Sequence, residues 1–237
     1  MIDSKDSIIF CFPYAGGSSV MYSNWNLFFP ENIRVIGIEL AGRGKRINES
    51  NYSDFDALIE DMLSKIRIDL LNKKYYLFGH SLGGKIVYEL SKKIATLGLR
   101  MPEQLFIAGR GAPNIPDIKS FDFEHLSHDE FIDELKNIGG TPIEFFDHPE
   151  LLELYLPVLR NDFKMGRRDA SLSEIKPLDC DISIFVGKED ELSYEQIGNW
   201  NKHTNGICSI YYLNGGHFFM PNNLKFILQK IKTSINK

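Results

Sequence analysis

The sequence predicts an α/β protein built on a mostly parallel sheet flanked by helices. Short β-branched and aromatic runs recur along the chain, helical stretches separate them, and several runs are apolar almost without alternation. Continuous apolar runs are the mark of strands covered on both faces, and strand–helix alternation brings right-handed crossovers. The strand runs are 7–12, 33–40, 74–78, 104–108, 181–186 and 207–213. Between them, 53–71 places Phe55, Leu58, Ile59, Met62, Leu63, Ile66 and Leu70 at helical spacing. Residues 82–97 do the same with Ile86, Val87, Leu90, Ile94 and Leu97, and Gly98 follows as a C-cap. A last helix is expected over 223–235.

One stretch breaks the alternation. From Ala112 to about Pro177 no strand pattern is present, but helical patterns run over 128–137 and 150–163, punctuated by Pro113, Pro116, Pro142, Pro149 and Pro157. It reads either as helical decoration of the sheet or as a lid inserted over the chemistry the sheet carries. The lid is the favoured reading. The expectation is one domain over 1–237, with a core of 1–111 and 177–237 and a helical lid of about 112–176.

Composition limits the function classes. Apolar residues at 43% and charged residues at 25% are those of a globular chain, which excludes wholesale disorder. The apolar run from Ile8 to Phe12 is far too short to cross a bilayer. The start, Met1-Ile2-Asp3-Ser4-Lys5-Asp6, lacks the basic and apolar regions of a secretory signal, so no membrane association is expected. A net charge of −5 argues against nucleic acid as the main partner. Cys11, Cys180 and Cys208 form no C-x-x-C pair. That argues against a disulfide framework or a zinc site and points to a reducing cytoplasm, with the cysteines as small buried hydrophobes.

The chemistry-bearing motif follows the third strand run, where Gly79-His80-Ser81-Leu82-Gly83-Gly84 leads into a helix. This is G-x-S-x-G in strand–turn–helix context. Side chains two before and two after the serine would collide with neighbouring elements in so tight a turn. Gly79 and Gly83 remove those collisions and let Ser81 project its hydroxyl at the end of the sheet, before the positive end of a helix. The competing reading makes Ser81 a helix cap.

A serine nucleophile needs a base oriented by a carboxylate, and in α/β-hydrolases the chain order is Ser, acid, His. Only His203 and His217 come late enough. His217 sits in the glycine-loosened Asn214-Gly215-Gly216-His217-Phe218-Phe219 loop and is the expected base. His203 lies in a polar stretch and is expected on the solvated surface, and His80 is expected to pack beneath the turn. For the acid, Gly187-Lys188-Glu189-Asp190-Glu191 follows a strand run. Asp190 is favoured for its short stem, with Glu189 as the runner-up. The backbone N–H of Leu82 and that of Ala15, in Phe12-Pro13-Tyr14-Ala15-Gly16-Gly17-Ser18, are the candidate oxyanion donors. A phosphate-cradling role for Gly16-Gly17 is the rival, but no G-x-x-x-x-G-K-[ST] is present.

Together these residues resemble the type II thioesterases of the α/β-hydrolase superfamily, the stand-alone editing enzymes of nonribosomal peptide and polyketide synthesis. The resemblance runs through Phe12–Ser18, Leu40-Ala41-Gly42-Arg43-Gly44, Gly79–Gly84 and Gly109-Arg110-Gly111-Ala112-Pro113. It continues in Leu156-Pro157-Val158-Leu159-Arg160-Asn161-Asp162-Phe163, which is similar to the family's lid helix, in Gly187–Asp190 and in Gly215–Phe219. It implies an α/β-hydrolase fold with a helical lid, a Ser81–Asp190–His217 triad and an oxyanion hole at Ala15 and Leu82. It also implies an acyl thioester substrate on the phosphopantetheine arm of a carrier protein. No metal or cofactor is required, and a monomer is expected.

The sequence departs from the family at Ala41, where proline is commoner, and at Leu82 and Lys85, the last placing a positive charge early in the nucleophile helix. Esterase or lipase, acyltransferase and non-catalytic binding module are the other readings. Arg43, Lys45, Arg46, Lys85, Arg110, Arg160, Lys164, Arg167 and Arg168 are expected near the mouth and lid, as a local positive surface for the acidic carrier.

Overall fold

Strand β1 (Ser7–Phe12) is buried along its whole length, and its side chains divide between two cores. Ile8, Phe10 and Phe12 enter one hydrophobic cluster while Ile9 and Cys11 enter another, because successive strand side chains point to opposite faces. The computed structural model describes residues 7–70, 72–116, 123, 125–141, 143–167 and 175–236. Further strands are β2 (Ile33–Gly37), β3 (Lys74–His80), β4 (Gln104–Ala108), β5 (Asp181–Gly187) and β6 (Cys208–Leu213). They form a sheet in the order β2-β1-β3-β4-β5-β6, and every pairing is parallel.

Helices α1 (Phe55–Leu70) and α2 (Leu82–Thr96) cover one face, and a 3-10 helix (Ser19–Phe28) with α6 (Met220–Ile235) covers the other. The buried stripe of α1 is Leu58, Ile59, Met62, Leu63, Ile66 and Leu70. A helix of this length is marginal alone, and burial at roughly 1.5–3 kcal/mol per large apolar side chain is what fixes it.

Between β4 and β5 lie α3 (His128–Ile138), a 3-10 turn (Ile143–Asp147) and α4 (Pro149–Gly166). Ser127 and Glu130 close a capping box at the start of α3. Phe131 and Leu135 of α3 pack on Leu152, Leu156 and Leu159 of α4, giving this segment a core of its own. A short α5 (Tyr194–Gly198) follows β5.

Several boundaries differ from the sequence expectation. The second strand stops at Gly37 rather than at residue 40, because its neighbour β1 ends one residue past the Cys11–Gly37 pair. The third strand runs two residues further, to His80. The last helix starts at Met220, three residues earlier, with Pro221 in a first turn that needs no donor there.

The topology positions the site. The chain leaves β1 toward the β2 edge and leaves β3 toward β4, so their following loops diverge at the carboxyl ends of adjacent strands. That divergence opens the crevice in which open α/β sheets place their ligands.

Candidate active site

Ser81 is the sharp end of that crevice. Its backbone sits at φ 53°, ψ −108°, the only positive φ outside glycine among the described residues. Such a conformation costs on the order of 1–3 kcal/mol and persists only where the surroundings over-determine it. Here the Ser81 N–H donates to Ala108 O (2.8 Å) and the Ser81 carbonyl accepts from Lys85 N (3.2 Å), so both sides of the turn are held. A Cβ on Gly79 would overlap the Gly83 carbonyl, and a Cβ on Gly83 would overlap the Phe12 carbonyl. No side-chain hydrogen bond from Ser81 caps α2, which removes the cap reading of this serine.

His217 and Asp190 come together from two adjacent loops. His217 Nδ1 lies 3.0 Å from Asp190 Oδ2, with the carboxylate side chain only 6% exposed and the ring 29%. A carboxylate can only accept here, so Nδ1 carries a proton, and in the neutral tautomer this leaves the lone pair on Nε2. Glu189, the runner-up, is exposed, and its backbone N–H is bound to Gly215 O (3.1 Å). No hydrogen bond joins the His217 ring to Ser81 among the described residues. Bonds of this kind commonly tighten only once substrate is bound.

His80 packs beneath the turn and is buried. Its ring centroid is 5.3 Å from that of His217, and its Nε2 lies 2.9 Å from the His217 carbonyl oxygen. The carbonyl can only accept, so Nε2 carries the hydrogen. Burial, with His217 beside it, pushes the His80 pKa down to about 3, and the ring is neutral. His80 therefore holds the main chain of the His217 loop, and Tyr14, Phe218 and Phe219 enclose it edge to face.

The loop after β1 closes as a four-residue turn, with Gly17 N donating to Tyr14 O (2.8 Å) and Gly16 at φ 77°. Ala15 is its second residue, and Leu82 is the first residue of α2, whose N–H has no partner within the helix. A cavity of about 300 Å³ adjoins this loop and is lined by Ala15 and Gly16 together with Met21, Phe145, Tyr155 and Leu159. Among the described residues no group of His, Cys, Asp and Glu could hold a metal ion, and no helix is long and apolar enough to cross a membrane.

One sequence expectation is corrected. His203 is buried, not solvated. A 3-10 turn (Asn199–His203) folds back under α2, where Nδ1 lies 2.7 Å from the Tyr88 hydroxyl and Nε2 2.7 Å from Asn114 Oδ1. Of the basic group expected near the mouth and lid, two arginines are paired with carboxylates and three cations hold main-chain carbonyls of the segment between β4 and β5. Arg43 is buried against Asp162, and Arg46 pairs with Glu49 and Asp61. Lys85 donates to Met165 O and Arg167 O, Arg110 to Gly166 O, and Arg160 to the carbonyls of Phe123, Leu126 and Ser127. Lys45, Lys164 and Arg167 are exposed, and Arg168 lies outside the described residues. The cysteines follow expectation more closely: Cys11 and Cys180 are buried and Cys208 is half-buried.

Sequence reasoning missed the buried Arg43–Asp162 pair. Asp162 was visible only as part of the similarity at 156–163, and 119 residues separate the two partners. The one local hint is a charged residue on the helix row of Leu152, Leu156 and Leu159.

Comparison with known proteins places this arrangement. The thioesterase-domain family model matches residues 7–235. GrsT, a gramicidin S biosynthesis protein of Aneurinibacillus migulanus, is 35% identical over 90% of this chain and 82% of its own. Linear gramicidin dehydrogenase LgrE of Brevibacillus parabrevis is 30% identical over 99% of this chain and 90% of its own. Among solved structures, ClbQ from the colibactin NRPS/PKS pathway superposes with a TM-score of 0.89 at 27% identity, covering 98% of this chain and 97% of its own. With the family model spanning nearly the whole sequence and an α/β-hydrolase sheet beneath it, the chain belongs to the thioesterase family.

Proposed function

We propose that this protein hydrolyses acyl thioesters carried on the phosphopantetheine arm of carrier proteins in nonribosomal peptide or polyketide synthesis. The observation that carries the reading is the Asp190–His217 hydrogen bond at the same edge of the sheet as the strained Ser81 turn. In this mechanism His217 Nε2 takes the Ser81 proton as Oγ attacks the thioester carbonyl, and Asp190 stabilises the imidazolium that forms. The N–H groups of Ala15 and Leu82 receive the oxyanion. His217 returns the proton to the departing pantetheine thiol, then activates water, which cleaves the Ser81 ester and releases the free acid. The apolar side of the cavity beside Ala15 offers room for an acyl group. The helical segment between β4 and β5 serves as the lid. GrsT, named for gramicidin S biosynthesis, and ClbQ, named for an NRPS/PKS pathway, support the substrate class.

The word dehydrogenase in the LgrE name suggests hydride transfer from a substrate to an oxidised cofactor such as a nicotinamide. The loop after β1 argues against that here. Its Gly16 N–H donates to the buried Asp162 carboxylate (2.7 Å), so this donor is already engaged in the place where dinucleotide folds bind a pyrophosphate.

The test is hydrolysis of an acyl-loaded carrier protein beside a p-nitrophenyl acyl ester of the same chain length. Release of free acid from the carrier with a higher kcat/KM than from the ester supports the reading. Faster ester hydrolysis with the acyl-carrier left intact would make the protein an esterase.

A further inference from the structure

The Arg43–Asp162 pair does more than fasten a helix. Asp162 lies on α4, 0% exposed, and its two oxygens accept from Arg43 Nη1 (2.5 Å) and Nη2 (2.6 Å). Oδ2 also accepts from the Gly16 backbone N–H at 2.7 Å. From the other side, Arg43 Nη1 donates to Gly17 O at 3.1 Å. One carboxylate and one guanidinium therefore grip the N–H in the middle of the Tyr14–Gly17 turn and the carbonyl at its end.

That grip fixes something the turn cannot fix alone. A four-residue turn with Gly16 at φ 77° is of the type that needs positive φ at its third residue. Its central peptide, Ala15–Gly16, can rotate to the commoner turn type without breaking the Gly17–Tyr14 hydrogen bond. Such a rotation carries the Gly16 N–H to the opposite face and changes the backbone at Ala15. A buried acceptor aimed at the Gly16 N–H favours one orientation only. The loop is also close to the nucleophile: the Phe12 carbonyl touches Gly83 in the first turn of α2, and the Tyr14 ring lies 5.4 Å from that of His80.

Nor can α4 drift freely. Lys85 and Arg110 hold its last carbonyls, and Asn161 Nδ2 donates to Tyr52 O at 2.7 Å. A helix tied at these points is a fixed wall of the site. It supplies one buried charge to the loop that carries Ala15 beside the cavity.

We propose that Asp162 is a positioning residue for the thioester hydrolysis, holding the Tyr14–Gly17 turn that carries the Ala15 N–H in a single conformation and place, with Arg43 keeping the carboxylate in place. The inference rests on the proposed thioesterase reading and adds a residue on a different element to its machinery. It makes α4 the part of the segment between β4 and β5 that is fastened to the β1 loop.

Removing one partner of a buried pair strands the other charge and endangers the fold, so the test replaces both. Arg43→Met/Asp162→Leu removes the pair and the acceptor. Arg43→Met/Asp162→Asn removes the charges but leaves an amide oxygen for the Gly16 N–H. With a small acyl thioester, the Met/Leu variant is expected to lose about 100-fold in kcat with KM nearly unchanged. The Met/Asn variant is expected to recover most of that loss. A trifluoromethyl ketone, which forms the tetrahedral adduct, should bind the Met/Leu variant more weakly in step with kcat/KM, while a non-hydrolysable thioether analogue binds both variants as it binds the wild type. A Met/Leu variant with kcat within about threefold of wild type overturns the inference, as does equal weakening of ketone and thioether. An inactive wild type would instead refute the thioesterase reading on which it rests.

Discussion

At Ser81 the backbone stores strain that a cap would not need. Its hydroxyl contributes nothing to the N-terminus of α2, so Ser81→Ala should remove hydrolysis while leaving the melting temperature within a degree or two, on the order of 0.5 kcal/mol in stability. The two loop carboxylates separate as clearly. Asp190→Asn should lower kcat by about 10⁴ and Glu189→Gln by no more than about twofold. The reverse order in steady-state kinetics would move the acid to Glu189. His80 makes a prediction about pH. Its folded pKa is depressed to about 3, below the usual 6.5, so the unfolded chain binds the proton more readily. Stability is then fully present above pH 6.5 and is lost as pH falls toward 3, by up to about 1.4 kcal/mol per pH unit from this ring. His203, held near 4 by its burial, acts in the same direction. Denaturant midpoints that do not fall between pH 6.5 and 4.5 would contradict the buried neutral assignment. The position of Ser81 is legible in the sequence because its turn is dictated by glycines two residues away. The grip of Asp162 on Gly16 is not, since no local pattern joins residues 146 apart.

At the scale of elements, Lys85 explains a departure that the sequence alone leaves open. A cation in the first turn of α2 opposes that helix's dipole, but the side chain reaches across to the last carbonyls of α4. One charge that is unfavourable for its own helix thus becomes the C-terminal cap of another. Lys85→Met should expose that end. Amide exchange in the last turn of α4 should quicken, and stability should fall by roughly 0.5–1.5 kcal/mol, with the first turns of the helix unaffected. Uniform loss of protection along α4 would mean the helix is held elsewhere. The elements themselves follow closely from periodicity, because strands buried on both faces and one-sided helices leave strong patterns. The misjudged pieces have local physical reasons. His203 sits in a polar run that folds inward only because Tyr88 and Asn114 satisfy both of its nitrogens, and Pro221 opens a helix rather than breaking one.

For the whole molecule, a net charge of −5 and the pairing of Arg43 and Arg46 with carboxylates leave little long-range attraction for an acidic carrier. The kcat/KM for an acyl-carrier substrate should therefore change by less than about tenfold between roughly 50 and 500 mM salt. A steep decline would reveal a steering surface around Lys45, Lys164 and Arg167. The central claim is that acyl transfer passes through Ser81, set at the divergence of the β1 and β3 loops and served by His217 and Asp190. Trapping the intermediate tests it most directly. Wild-type protein is mixed with an acyl thioester, quenched in acid during turnover and read by intact mass and peptide mapping. The account predicts the acyl mass on the peptide carrying Ser81, absent from the Ser81→Ala variant. Turnover with the acyl group on another residue, or undiminished turnover by Ser81→Ala, would contradict it.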